Sequence, residues 1–257
     1  MASPNSDREG AARQLRQHIQ RLQSAGVEWV PAPDRNKAPP VAETPSLFGA
    51  VEEPLVPAGA PDRRVALAVL SEEVKACTLC DELASTRTQT VFGVGPMDVD
   101  ICFIGEAPGA DEDRQGEPFV GAAGQLLNKI IVACGMKREE VYICNILRCR
   151  PPGNRPPKAE EAANCRPFLE RQIELIRPKS ICCLGASAAN YLLQTKRSIS
   201  SMRGKFYDYN GIPVACTYHP SYLLRSESVD AKRMVWDDMK MLLAKLGRAI
   251  PQAPKKG

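Results

Sequence analysis

Between Val65 and Leu246, short runs of β-branched and apolar residues alternate with longer stretches whose apolar positions recur every three or four residues. The first pattern fits strands buried on both faces and the second fits helices packed on one side. Their alternation predicts an α/β fold around a parallel sheet. Four strands are expected, at Val99–Ile104, Val141–Ile146, Ser180–Leu184 and Pro213–Thr217. Helical spacing marks GAAGQLLNKIIVACG, PKAEEAANCRPFLERQIELIR and SAANYLLQ between them, and SVDAKRMVWDDMKMLLAKLG closes the series. The expected architecture is a three-layer α/β/α sandwich around a central four-stranded, mainly parallel sheet, spanning residues 65–248.

The flanks read differently. Residues 8–24 carry Leu15, Ile19 and Leu22 at helical spacing, which predicts a short amphipathic helix. From Val30 to Arg64 the chain is dense in proline and alanine and has too little apolar surface to fold alone. Residues 1–64 are therefore expected to be a largely disordered arm and residues 249–257 a flexible basic tail. No run approaches the about twenty apolar residues of a membrane span, and the N-terminus lacks the apolar core of a secretory signal. A cytoplasmic protein is expected. The net charge of +4 permits a polyanionic partner without demanding one.

Ten cysteines in such a compartment are not expected to form a disulfide framework. Cys102, Cys134, Cys144, Cys182, Cys183 and Cys216 lie in apolar runs, where a thiol acts as a small hydrophobe. Cys77, Cys80, Cys149 and Cys165 lie in polar or proline-rich surroundings, the first two as a Cys-Thr-Leu-Cys knuckle. Four thiolates so placed suit either zinc or an iron–sulfur cluster, and spacing alone does not choose between them. A redox pair at Cys77 and Cys80 fits less well, because the knuckle precedes the first strand rather than following one.

The unusual polar and glycine-rich positions fall just past the strand ends. GEAPG follows the first strand, Asn145 ends the second, Gly185 follows the third and His219 follows the fourth. Ligands of open α/β sheets bind outside the carboxyl ends of the strands, so these places should meet in one crevice. The GEAPGADEDRQGEPFVGAAGQLL stretch has the glycines of an anion-binding turn but no P-loop lysine. Its acidic run Asp111, Glu112 and Asp113 is either a solvated loop without a role or suited to a developing cation or a water to be activated. Phe119, on a loop bounded by prolines and glycines, is either a satellite core residue or a stacking platform for a flat base. The Asn145 amide, able to donate and accept, either caps a turn or reads a base edge. Arg148, Arg150, Arg155, Lys158, Arg203, Lys205 and Arg225 either line a backbone-binding groove or are ordinary solvated charges, and Leu223 and Leu224 are either apolar side chains on the lip of that groove or core residues at a helix start.

Taken together, CTLC, TRTQTVFGVG, GEAPGADEDRQGEPFVGAAGQLLN, VYICNILRCRPPGNRPP, the Cys165 segment, MRGKFY and HPSYLLR resemble the family-four uracil-DNA glycosylases, over roughly Glu73 to Leu246. The resemblance implies a 4Fe-4S cluster on Cys77, Cys80, Cys149 and Cys165. By the same carry-over, Phe119 stacks on uracil, Asn145 reads its edge and His219 bonds its O2 side. Glu112 positions water, Glu106 and the amides around Ala107 complete the pocket, and Leu223 serves as the DNA wedge. The best-studied branch of the superfamily places a catalytic aspartate where this chain has Ala107.

The resemblance further implies a monomeric, monofunctional base-excision repair enzyme that acts on uracil in single- or double-stranded DNA, in a bacterial or archaeal nucleoid. The motifs at the strand ends, GEAPGADEDRQGEPFVGAAGQLLN, VYICNILRCRPPGNRPP and HPSYLLR, hold no lysine that could form a Schiff base at the crevice. Ser46-Leu47-Phe48-Gly49 loosely resembles a sliding-clamp-binding peptide without its leading glutamine, which implies at most a weak clamp contact. Two other readings compete: a non-excising binder of uracil-containing or single-stranded DNA that uses the same pocket, and a zinc or redox nucleic-acid enzyme of another class.

Overall fold

A computed structural model describes residues 62–226 and 228–251. The expected N-terminal helix, the proline-rich arm, the clamp-like tetrad and most of the basic tail lie outside the described residues. Two helices lead into the domain, α1 (Arg63–Lys75) and α2 (Asp81–Thr86). The rest runs β1 (Ile101–Gly105), α3 (Ala110–Gln115), α4 (Ala122–Ala133), β2 (Tyr142–Asn145), α5 (Ala159–Ile176), β3 (Ser180–Leu184), α6 (Ala186–Leu193) and α7 (Ile199–Met202). It ends with β4 (Phe206–Tyr209), β5 (Ile212–Thr217), α8 (Pro220–Ser226) and α9 (Val229–Lys245).

The sheet has five strands in the order β2-β1-β3-β5-β4, not the four expected. All four anticipated strands are present and mutually parallel, and β4 joins the edge antiparallel to β5. The missed strand carries its own signal. Asn210-Gly211 links β4 to β5 with both residues at positive φ (+52° and +83°), as a two-residue hairpin turn requires.

Both faces of the sheet are covered. On one, Cys102, Ile104, Cys144, Cys183 and Cys216 pack against Leu169 and Ile173 of α5 and Leu192 of α6. On the other, Ile101, Phe103, Cys182 and Leu184 meet Leu127 and Ile131 of α4 and Val235, Met239 and Leu242 of α9. Each fully buried Leu or Ile is worth about 1.5–3 kcal/mol of transfer free energy. The strand cysteines are buried among them, as their apolar contexts predict. Register then fixes the site. Gly105 pairs with Asn145 and Leu184 with Thr217, so four parallel strands end side by side.

Candidate functional site

A cavity of about 610 Å³ opens at those carboxyl ends. Its walls bring together Glu106, Ala107, Glu112, Phe119, Asn145 and His219, the expected convergence of separate strand ends. Asn154, Arg155, Ser187, Ser221 and Arg225 complete it. A second cavity of about 660 Å³ lies along α5 and α6, but among its lining residues there is no histidine or cysteine, and its one acid, Glu170, is paired with Arg166.

Asn145 is buried at the end of β2, and its Oδ1 has no hydrogen-bond partner in the protein. An unpaired buried acceptor costs about 1–3 kcal/mol, so its persistence at a cavity wall marks it for a ligand donor. Phe119 faces it across Gly105. A Cβ built on Gly105 would stand 2.5 Å from Phe119 Cζ and even nearer Asn145 Oδ1, so only glycine lets ring and amide close on the strand end.

The Phe119 ring is held by its backbone, which takes a left-handed φ of +54°. That conformation is costly for a bulky residue and points to a functional constraint. Gly124, in the first turn of α4, accommodates it, since an added Cβ would run into the Phe119 carbonyl. Glu112 reinforces the turn from below. Its Oε2 accepts the Gly109 N–H at 3.0 Å and its Oε1 accepts those of Val120 and Gly121, both at 2.9 Å. Both carboxylate oxygens are thus committed to backbone amides. Glu106, by contrast, makes no side-chain hydrogen bond among the described residues and faces the cavity.

His219 is half-buried opposite Phe119, with ring centroids 5.7 Å apart. Its Nδ1 accepts the Ser221 backbone N–H at 3.1 Å and faces Ser221 Oγ at 2.8 Å. With Nδ1 an acceptor, the neutral ring carries its proton on Nε2. Burial first, and then the nearby Arg225 cation, push its pKa down to about 4, with Glu112 opposing. The imidazole is therefore neutral near pH 7. Ser221 is the partner that motif reading missed, although a serine two residues past a histidine at a helix start is the signal for it.

Two expectations are corrected. Leu223 is not on the lip: at 3% exposure it packs into the core under α8, and the next residue, Leu224, points outward. The phase of the short helix decides this, because each residue advances by about a quarter turn. Nor do all the basic residues form a groove. Arg148 is buried, Arg155 is bound to Glu161 and Glu82, and Arg203 is bound to Asp238, whereas Arg225 is exposed at the cavity mouth.

Cys77, Cys80, Cys149 and Cys165 gather outside this cavity, between α2 and the start of α5. Burial raises the Cys149 and Cys80 thiols and pushes Cys165 up to about 11. In each case a donor opposes it: Arg87 for Cys149, Asn164 for Cys80 and Arg148 for Cys165. The Arg87 guanidinium reaches Cys149 Sγ at 3.0 Å and the Asn164 amide reaches Cys80 Sγ at 3.6 Å. Donors aimed at sulfur are the surroundings that thiolate ligands need. Among the described residues, no group of three or more His, Cys, Asp or Glu side chains is arranged to hold a single metal ion.

Comparison with known proteins agrees with this geometry. Residues 92–240 match the family model described as the uracil DNA glycosylase superfamily. The chain is 46% identical over 179 residues to a type-4 uracil-DNA glycosylase of Thermotoga maritima, covering 69% of this chain and 93% of that one. A type-4 enzyme of Archaeoglobus fulgidus is 46% identical over 160 residues, 59% of this chain and 80% of that one. One of Saccharolobus solfataricus is 44% identical over 167 residues, 62% and 77% respectively. The chain belongs to the uracil DNA glycosylase superfamily, in its type-4 branch.

Proposed function

We propose that the protein hydrolyses the N-glycosidic bond of deoxyuridine in DNA, releasing uracil and leaving an abasic site. The observation that carries this reading is the unpartnered, buried Asn145 Oδ1 facing the Phe119 ring across Gly105. Uracil offers an N3–H donor to Oδ1 and an O4 acceptor to Nδ2. Cytosine presents the opposite pattern and would leave a buried amide unsatisfied.

In the reaction, the nucleotide leaves the helix, its base stacks on Phe119, and the Asn145 amide binds the N3–O4 edge. The C1′–N1 bond breaks with its electron pair going to uracil. The neutral His219 donates from Nε2 to O2 as negative charge gathers there. The sugar left behind is oxocarbenium-like. Glu106, whose carboxylate is uncommitted, stabilises that cation, orients the water that attacks C1′ and accepts the proton that water loses, and the uracil anion is protonated from solvent. Glu112 acts as a positioning residue, holding the turns that carry Phe119. Among the described residues no lysine lines the cavity, which supports a monofunctional enzyme that leaves the strand intact.

Leu224, exposed beside the cavity, is the side chain we assign to the gap left by the flipped base. Cys77, Cys80, Cys149 and Cys165 would hold a 4Fe-4S cluster. Their all-thiol donor set and sulfur-directed partners fit that group, which when bound cross-links the loops carrying these cysteines.

The test is excision from an oligonucleotide with one central uracil, followed by alkali, with Asn145→Ala and His219→Ala alongside. Alkali-dependent cleavage by the wild type that both variants lose by about 100-fold or more is expected, on the scale of a removed oxyanion donor. Binding without release of free uracil would instead make the protein a uracil-DNA binder.

A further inference from the structure

Arg148 is the largest of the fully buried side chains, 1% exposed, and it has no salt-bridge partner among the described residues. Its guanidinium donates to two neutral acceptors, the Asn145 backbone carbonyl and Gln172 Oε1, and its Nε has no partner. Gln172 is itself fixed, donating to the Phe92 carbonyl at 3.0 Å and Tyr142 Oη at 2.8 Å. An arginine does not deprotonate, and burying an uncompensated cation costs several kcal/mol. A fold that retains one needs an anion close by.

The chain places a candidate anion on one side of it and the base-reading strand end on the other. Cys165 is the thiol beside it, its sulfur reached by the Arg148 backbone N–H, while Cys149 has Arg87 as its cation. Gln172 lies on α5, the helix that also carries Cys165. Four thiolates around an iron–sulfur core leave the assembly net negative. On the far side, only two residues separate Arg148 from Asn145. That segment is clamped to the end of β1, with the Ile146 N–H on the Gly105 carbonyl at 2.9 Å and the Leu147 N–H on that of Glu106 at 3.1 Å.

We propose that Arg148 is a positioning residue with two faces: its charge is the buried counter-charge of the Cys165 thiolate, and its fork holds the Asn145 carbonyl so that the Asn145 amide is aimed at uracil. The inference rests on the cluster reading of the four cysteines. It makes cluster and pocket neighbours through one side chain, so that loading the cluster relieves the unpaired cation that anchors the base-reading strand end.

The experiment uses the full chain, purified without oxygen, as wild type, Arg148→Gln and Arg148→Lys. Iron per chain, visible absorbance, reduction potential of the cluster, and kcat and KM on uracil-DNA are read for each. Arg148→Gln removes the charge. It should shift the potential to more negative values and weaken iron retention against a chelator by about 10–100-fold, the usual cost of losing a supporting partner of a metal ligand. Arg148→Lys keeps the charge but not the planar fork. It should hold the potential near wild type while kcat falls about tenfold or more and KM changes little.

A wild-type potential and iron retention in Arg148→Gln would overturn the counter-charge, and a wild-type kcat in Arg148→Lys would overturn the tether. If Arg148→Gln does not fold, the split between potential and kcat in Arg148→Lys still decides. A wild-type protein that binds no iron would overturn the cluster reading itself, a result distinct from iron-loaded variants that behave as wild type.

Discussion

Replacing Gly105 with alanine adds one methyl group at the place where the base-reading amide and the stacking ring meet. The new Cβ would lie 2.5 Å from Phe119 Cζ and 2.7 Å from Cε2, whereas ordinary contacts begin near 3.4 Å. The ring must retreat by about 0.9 Å or Asn145 must turn away. The ring has little freedom to do so, because the left-handed backbone at Phe119 is fixed by Gly124 and by the amides bound to Glu112. A misplacement of about 1 Å at a reacting centre costs about 100-fold in rate, or about 2.7 kcal/mol of transition-state stabilisation. Overpacking in a close-packed site adds about 1–3 kcal/mol of lost stability. Single-turnover excision from a uracil oligonucleotide measures the first and thermal melting the second. An alanine variant that excises within twofold of wild type would refute the claim that this glycine sets the distance between amide and ring.

Three further outcomes are expected. His219 has a folded pKa of about 4, below the free value of 6.5, so the unfolded chain takes up the proton first. Its contribution to stability is full above pH 6.5 and disappears as pH falls through 4; melting curves over that range should show a loss that His219→Gln removes. Leu223→Ala should destabilise the fold by about 2–5 kcal/mol, as buried truncations do. Leu224→Ala should leave melting unchanged and weaken excision from duplex more than from single-stranded DNA. Glu106→Gln should lower kcat with a normal melting temperature. Glu112→Gln should lower both, because it turns one of the two oxygens that accept three backbone amides into a donor; equal and purely kinetic effects of the two would contradict their assigned roles.

The strand pattern was legible because four strands are buried on both faces and write themselves as continuous apolar runs. The crevice was legible because polar residues interrupt those runs only at their carboxyl ends. What escaped is governed by geometry that a pattern does not carry. The β4 strand is half-exposed and irregular in composition, and only Asn210-Gly211 announces it. Leu223 and Leu224 are adjacent in sequence, and which one faces solvent depends on where α8 begins. Arg148 sits among other basic residues in a proline-rich stretch and reads as surface, yet the turn after β2 carries it inward. Glu112 has the composition of a catalytic acid, but its oxygens are taken up by amides that only the folded turn brings to it.

One wall of the uracil cavity, around Asn154 and Arg155, is fastened to distant chain. Arg155 reaches Glu82 at 2.9 Å as well as Glu161, and Lys158 reaches the same Glu82 carboxylate at 2.6 Å. Glu82 lies on α2, directly after the Cys77–Cys80 knuckle and more than seventy residues before the loop it grips. Completion of the pocket therefore depends on a long-range docking event, which local helix formation does not supply and whose entropic cost rises slowly with the length of chain it closes. The central pairing of β1 with β3 spans a comparable length, so sheet and brace each need distant chain to meet before the enzyme can work. Recovery of excision, timed against recovery of secondary structure, thus reports when the two ends of this brace have met.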